Sequence, residues 1–279
     1  MEWKKAKNYT IIFLIAVNCM LMALNLIKHN ETRLSSEDIT AVTKVLADRG
    51  ITISCQLPED FSSMEQLYMR AYEYDNIVLQ DIFFGKISGV RRTEASGDII
   101  SGEEGILILS DEKVTFRSET QAPENTEAAK AYVQKYVDSL NFNFADYREK
   151  LIKETNDGYY FEYGQSFHNR LVLSNYLKAW VSYEGIAEIE FNYQQPIDYK
   201  GSSETIISAN EAVYAAADAI LQDNAVAVVD MVEKGYCLNE KQGTDYLVAV
   251  PQYKIYVDYE GERAAYFVNA YSGDVTEDK

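Results

Sequence analysis

Nineteen consecutive residues, Tyr9 to Ile27, carry no charge, and no other feature constrains the chain so strongly. As a helix rising about 1.5 Å per residue, the stretch nearly spans a hydrocarbon layer of about 30 Å. A buried core helix would not place Lys4, Lys5 and Lys7 just before it and a polar chain just after it. A cleaved secretory signal has a shorter apolar core, about 7 to 15 residues, and ends at a small-x-small site. Neither fits: in Ala16-Val17-Asn18-Cys19, Asn18 stands where a lipoprotein site needs a small residue, and uncharged chain continues beyond it. An uncleaved transmembrane helix over 9–27 is therefore expected, with 1–8 a short cytoplasmic N-terminus, because lysines beside a span are held inside. The remainder is then extracellular, on a single-pass protein of the cell membrane.

Asn18 and Asn25 are polar groups within that span. Asn25 sits near its end, whereas Asn18 lies at its middle and is the candidate contact to a partner helix. An interhelical hydrogen bond there is worth about 0.6 to 2 kcal/mol. The net charge is -18, made up of +2 on residues 1–27 and -20 on the rest, and no basic stripe interrupts it. Nucleic acid is thus an unfavourable partner. The acidity otherwise serves solubility.

Three amphipathic stretches divide the outer part, each followed by runs rich in Tyr, Val, Ile and Phe. The first runs from Ser36 to Arg49, with Ile39, Val42, Val45 and Leu46 on one face and Gly50 placed to end it. Ile51 to Gln56 reads as a strand, Asp75 to Phe84 as a short helix, and Lys86 to Arg117 as hairpins. The second stripe is Ala129, Tyr132, Val133, Tyr136, Val137 and Leu140. The third follows a capping-box pattern, Ser208-Ala209-Asn210-Glu211. Strands are expected at Tyr159 to Tyr163, Leu171 to Leu173, Ala179 to Tyr183, Ile186 to Tyr193, Ala225 to Val232, Tyr246 to Val250, Gln252 to Tyr259 and Ala264 to Asn269. The expected class is α+β: repeated units of helix plus antiparallel sheet, the first over 34–122 and the second over 123–279.

Catalytic chemistry is hard to find. His29 and His168 are the only histidines, neither beside a Cys or carboxylate cluster, so a zinc site or a triad is not expected. No Gly-x-Ser-x-Gly elbow, phosphate-binding glycine loop or dinucleotide fingerprint occurs. Carboxylates are too abundant to single out a pair; Glu103-Glu104 and Asp111-Glu112 sit in turn-like contexts and should face solvent. A non-enzymatic protein without metal or cofactor is expected. Cys19 lies within the apolar segment, and Cys55 and Cys237 read as small apolar residues or as a disulfide pair. Of 22 tyrosines, Tyr253 and Tyr259 alternate with Ile255 and Val257 on one face of a strand. Lys254, Tyr256 and Asp258 take the other, which makes Tyr256 the candidate exposed interface residue.

Met1-Glu2-Trp3-Lys4-Lys5-Ala6-Lys7, followed by the apolar Ile11 to Ile27 with its Asn18, resembles the start of YycI proteins. Gly235-Tyr236, Leu247 to Ile255 and Tyr266-Phe267-Val268-Asn269-Ala270-Tyr271-Ser272-Gly273-Asp274 resemble the family's closing motifs. Tyr253 stands where the family's Pro-Ala-Trp element has tryptophan. The resemblance implies an accessory regulator of the YycG (WalK) sensor histidine kinase, acting with a YycH-like protein in cell-wall homeostasis. It implies contact between helices in the membrane and pairing of the domains outside. The terminal helix and hairpin also resemble PepSY modules, so an inhibitor of an extracytoplasmic peptidase is the alternative. A hydrolase using an acid pair on wall polymers comes third.

Overall fold

In the computed structural model, which describes residues 11, 13–22, 33–85, 90–94, 97–110, 113–222, 226–238, 246–260 and 262–278, five helices and fifteen strands are described. The helices are α1 (13–22), α2 (Ser36–Asp48), α3 (Asn76–Phe84), α4 (Thr126–Asn143) and α5 (Ala209–Ile220). The strands begin with β1 (Ile51–Ile53), β2 (Met64–Ala71), β3 (Val90–Glu94), β4 (Gly97–Ser101), β5 (Ile106–Leu109), β6 (Val114–Glu119), β7 (Arg148–Glu154) and β8 (Gly158–Phe167). They continue with β9 (Arg170–Ser182), β10 (Ile186–Asn192), β11 (Gln194–Glu204), β12 (Ala227–Leu238), β13 (Leu247–Tyr259), β14 (Glu262–Asn269) and β15 (Val275–Glu277).

Local chemistry sets the helix ends. The Ser35 side chain accepts from the Asp38 amide at the start of α2, and Gly50, at φ 95°, follows its end in the left-handed region that costs glycine least. At α5 the capping box is complete: Ser208 Oγ accepts from the Glu211 amide, and the Glu211 carboxylate accepts from the Ser208 amide at 2.7 Å.

The chain forms two compact units, each discontinuous in sequence. The first is Met1–Met64, Ser202–Glu233 and Gln252–Lys279; the second is Glu65–Gly201 and Lys234–Pro251. The boundary expected at 122/123 therefore falls inside the second unit. Strand β6, before that point, pairs with β10 after it, from Ile186 opposite Glu119 to Phe191 opposite Val114. A sheet bonds neighbours in space, and here those neighbours are about 70 residues apart in the chain.

In the first unit β1 runs parallel to β12, from Ile51 opposite Ala227 to Ile53 opposite Val229. The expectation of antiparallel pairing alone is corrected here: β1 and β12 are each preceded by a helix, so both strands run the same way. Strand β13 pairs antiparallel with β14, and β14 with β15. Helix α5 packs its small residues Ala212, Ala216 and Ala217, with Val213, onto this sheet. Those alanines, fully buried, let the helix approach β14 and β15 closely.

The second unit holds an antiparallel series β7-β8-β9-β10-β6-β5-β4-β3. Helices α3 and α4 cover it, burying Leu79, Phe83, Val133, Tyr136 and Leu140 against Phe116, Phe161, Leu177 and Phe191. Burying each large apolar side chain contributes about 1.5 to 3 kcal/mol. Two strands foreseen as separate pieces, at 171–173 and 179–183, are the single β9: Ser174 and Asn175 between them stay extended, the Ser174 carbonyl accepting from Asn192 Nδ2 and Asn175 Oδ1 from the Gln194 amide, and the ladder to β10 begins at Tyr176 opposite Asn192.

Candidate functional site

Residues 13–22 are helical, and Phe13, Met20 and Met22 are each about two-thirds exposed. Helical spacing sets Leu14, Leu21 and Met22 around Asn18, whose amide has no hydrogen-bond partner among the described residues. The rest of the expected span, 9–10, 12 and 23–27, including Asn25, lies outside the described residues. Among the described residues no helix is long and apolar enough to cross a membrane.

Tyr256 corrects the reading of β13 as a strand with one open face. Its ring is 5 % exposed. Lys254 Nζ lies 5.0 Å from the ring centre and Arg263 Cζ 4.4 Å. The Tyr256 hydroxyl donates to Glu233 Oε2 at 3.1 Å. Arg263 donates to Asp230 at 3.2 Å, and Lys254 to Asp278 at 2.8 Å while also lying over Phe267. Alternation distinguishes two faces but does not say that one is bare. Here two cationic heads lie over the ring, and Asp278 and Asp230 each accept from one of them, while Arg263 Nε is buried without a hydrogen-bond partner. The buried phenol on the other face, Tyr253, donates to the Ile207 carbonyl at 2.8 Å, and burial pushes it well above the ordinary tyrosine range.

A second polar cluster belongs to the second unit and was not foreseen. His168 and Asn169, at φ 47° and 65°, form the two-residue turn between β8 and β9. The turn sets Arg170 against Tyr236 Oη at 2.9 Å and Glu65 Oε2 at 3.3 Å, with its guanidinium 4.8 Å from the Tyr199 ring centre. Tyr199 donates to the Phe167 carbonyl at 2.8 Å, and the rings of Phe167 and His168 stack at 4.1 Å. Strand β12 runs parallel to β9 here, with Gly235 opposite Leu171. The only local signal was a short polar interruption between two β-rich runs.

His168 is exposed, as are Glu103 and Glu104; His29 and Asp111-Glu112 lie outside the described residues. Cys55 and Cys237 are not joined by a disulfide, and burial raises the Cys55 thiol above its usual range. Among the described residues no group of three His, Cys, Asp or Glu side chains could hold a metal ion.

The crystal structure of an uncharacterized protein from Eubacterium rectale is similar to this chain, at 10% identity and a TM-score of 0.52, over 86% of this chain and 99% of that one. At that identity the likeness concerns the fold alone. The C-terminal domain of Bacillus megaterium YpeB aligns at 12% identity and a TM-score of 0.35, over 75% of this chain and 99% of that one. No curated protein matches the chain.

Sheets predominate over helices in a mixed α+β protein. The YycI protein family matches residues 29–271, and the chain belongs to it. Membership implies a regulatory role in a two-component system.

Proposed function

We propose that this protein is a membrane-anchored, non-enzymatic accessory regulator of a YycG (WalK)-like sensor histidine kinase. It acts with a YycH-like partner through its transmembrane helix and its extracellular domain, in the control of cell-wall homeostasis. Family membership supports the kinase system. The observation that carries the mode of action is Asn18, an amide with no described partner on a helix whose described neighbours are exposed and apolar. In hydrocarbon such an amide is satisfied by another helix, and a contact that differs between two kinase conformations shifts their populations by its differential energy. Replacing residues 9–27 by an unrelated apolar helix of equal length tests this. Kinase output should become independent of the protein while the protein still reaches the membrane; unchanged regulation would sink the reading.

A further inference from the structure

The C-terminal end of α5 and the strands β13, β14 and β15 of the first unit enclose a hollow of about 340 Å³. Ala219 of α5 and Ala264 of β14 both line it, and their single methyl groups leave room that larger side chains would fill. Tyr266 pairs across the strands with Glu277, and Val257 with Ala264, so Tyr266, Ala264 and Glu277 share the face on which α5 packs.

The lining is rich in acceptors. Tyr259 Oη donates to the Ile220 carbonyl at 2.8 Å, and Tyr266 Oη lies 2.8 Å from Tyr259 Oη. A phenol has one proton, and a carbonyl only accepts. The Tyr259 proton is therefore committed to Ile220, and Tyr266 donates to Tyr259. Both protons are used, and the two hydroxyls keep only lone pairs for a guest. Helix α5 has no basic residue in its last turn, so its own side chains leave the negative end of its dipole uncompensated. Glu277 adds an exposed carboxylate that makes no ion pair among the described residues, and no Lys or Arg lines the hollow. Burial, the Tyr266 hydroxyl and the Glu277 charge all push the Tyr259 phenol upward, as a negative environment should.

We propose that this hollow binds an ammonium group on a short apolar stem, from a free primary alkylamine or from a lysine side chain of a peptide. Three N–H donors on a cation match phenol oxygens and a carboxylate, and the stem matches Ala219, Ala264 and Val275. The inference does not rest on the kinase reading.

Saturation-transfer NMR on the full-length chain in a zwitterionic detergent tests it, with n-butylammonium, n-butanol, butyrate and Nα-acetyl-lysine amide as probes. Butylammonium should bind and butanol and butyrate should not. Binding of the lysine amide as well assigns a peptide source, and its failure beside butylammonium assigns a free amine. The substitution Glu277→Gln, at an exposed position, should weaken ammonium binding about tenfold without altering the near-ultraviolet circular dichroism. Equal signals from butylammonium and butanol, or an affinity indifferent to Glu277→Gln, would overturn the proposal.

Discussion

Lys254 Nζ lies 2.8 Å from Asp278 Oδ2, although only 7% of the lysine side chain is exposed. An ammonium stripped of water needs compensation, and here it comes from a carboxylate beyond the last strand and from two aromatic faces, Tyr256 and Phe267. The Asp278 amide also donates to the Ala265 carbonyl at 2.9 Å, so the charge pair fastens the C-terminal strand to the sheet.

Removing one partner from a fully buried pair costs about 3 to 5 kcal/mol. Asp278 is 31% exposed, so water recovers part of its charge, and Lys254→Ala should cost about 2 to 3 kcal/mol. Lys254→Met, which keeps most of the stem over the rings, should cost less. Urea unfolding of both variants checks the order.

Gly235 should not tolerate a side chain. A Cβ there would stand 2.7 Å from the Leu171 carbonyl oxygen and 2.9 Å from Leu173 Cγ, and both sides of the contact are sheet. Gly235→Ala should lose about 1 to 3 kcal/mol in the same measurement.

The tyrosines predict an alkaline limit to stability. Tyr163 is 1% exposed, its hydroxyl has no hydrogen-bond partner, and burial pushes it up to about 12 from its ordinary 10. Below about pH 10 the phenol is protonated folded or unfolded, and the folded state keeps its full stability. Between pH 10 and 12 the unfolded chain releases the proton that the folded chain retains, so stability falls, by about 2 kcal/mol for this residue. Absorbance titration of the phenolates should therefore show a group that ionises only as the chain unfolds, and Tyr163→Phe should reduce the alkaline loss.

Arg170 should not be replaceable by lysine. One terminal nitrogen, Nη1, serves both Tyr236 and Glu65 while the flat face of the guanidinium covers Tyr199, and an ammonium is a point charge with no such face to stack. Arg170→Lys should cost about 1 kcal/mol and leave Tyr199 more accessible, read as faster quenching of tyrosine fluorescence.

What was legible in the sequence was local. The Ser208 capping box, Gly50 after the first outer helix and the stripe from Ala129 to Leu140 each rest on residues within a few turns of one another, and each is found where expected. What was hidden depends on partners far along the chain. Tyr256 alternates with Ile255 and Val257 just as an open-face residue would, and only Lys254, Arg263, Glu233 and Phe267 together show that its face is covered. The break foreseen at Pro251 is likewise absent: β13 pairs with β2 through Ala249 and with β14 from Gln252, so the proline falls between these two ladders, where neither calls on its missing amide proton. The Arg170 cluster joins residues of β2, β9, β11 and β12, a union made by strand order that no spacing encodes.

The central claim is that Asn18 touches a kinase helix, and site-specific photo-crosslinking tests it most directly. A photoreactive residue at position 18 of the full-length protein, activated in the membrane of its native host, should yield a covalent adduct with the transmembrane region of a sensor histidine kinase. The same residue placed on the opposite helix face, at Ala16 or at Met20, should give a much weaker one, because two residues along a helix turn a side chain by about 200°. A position-18 adduct with an extracytoplasmic peptidase, or adducts with lipid and itself alone, would contradict the account.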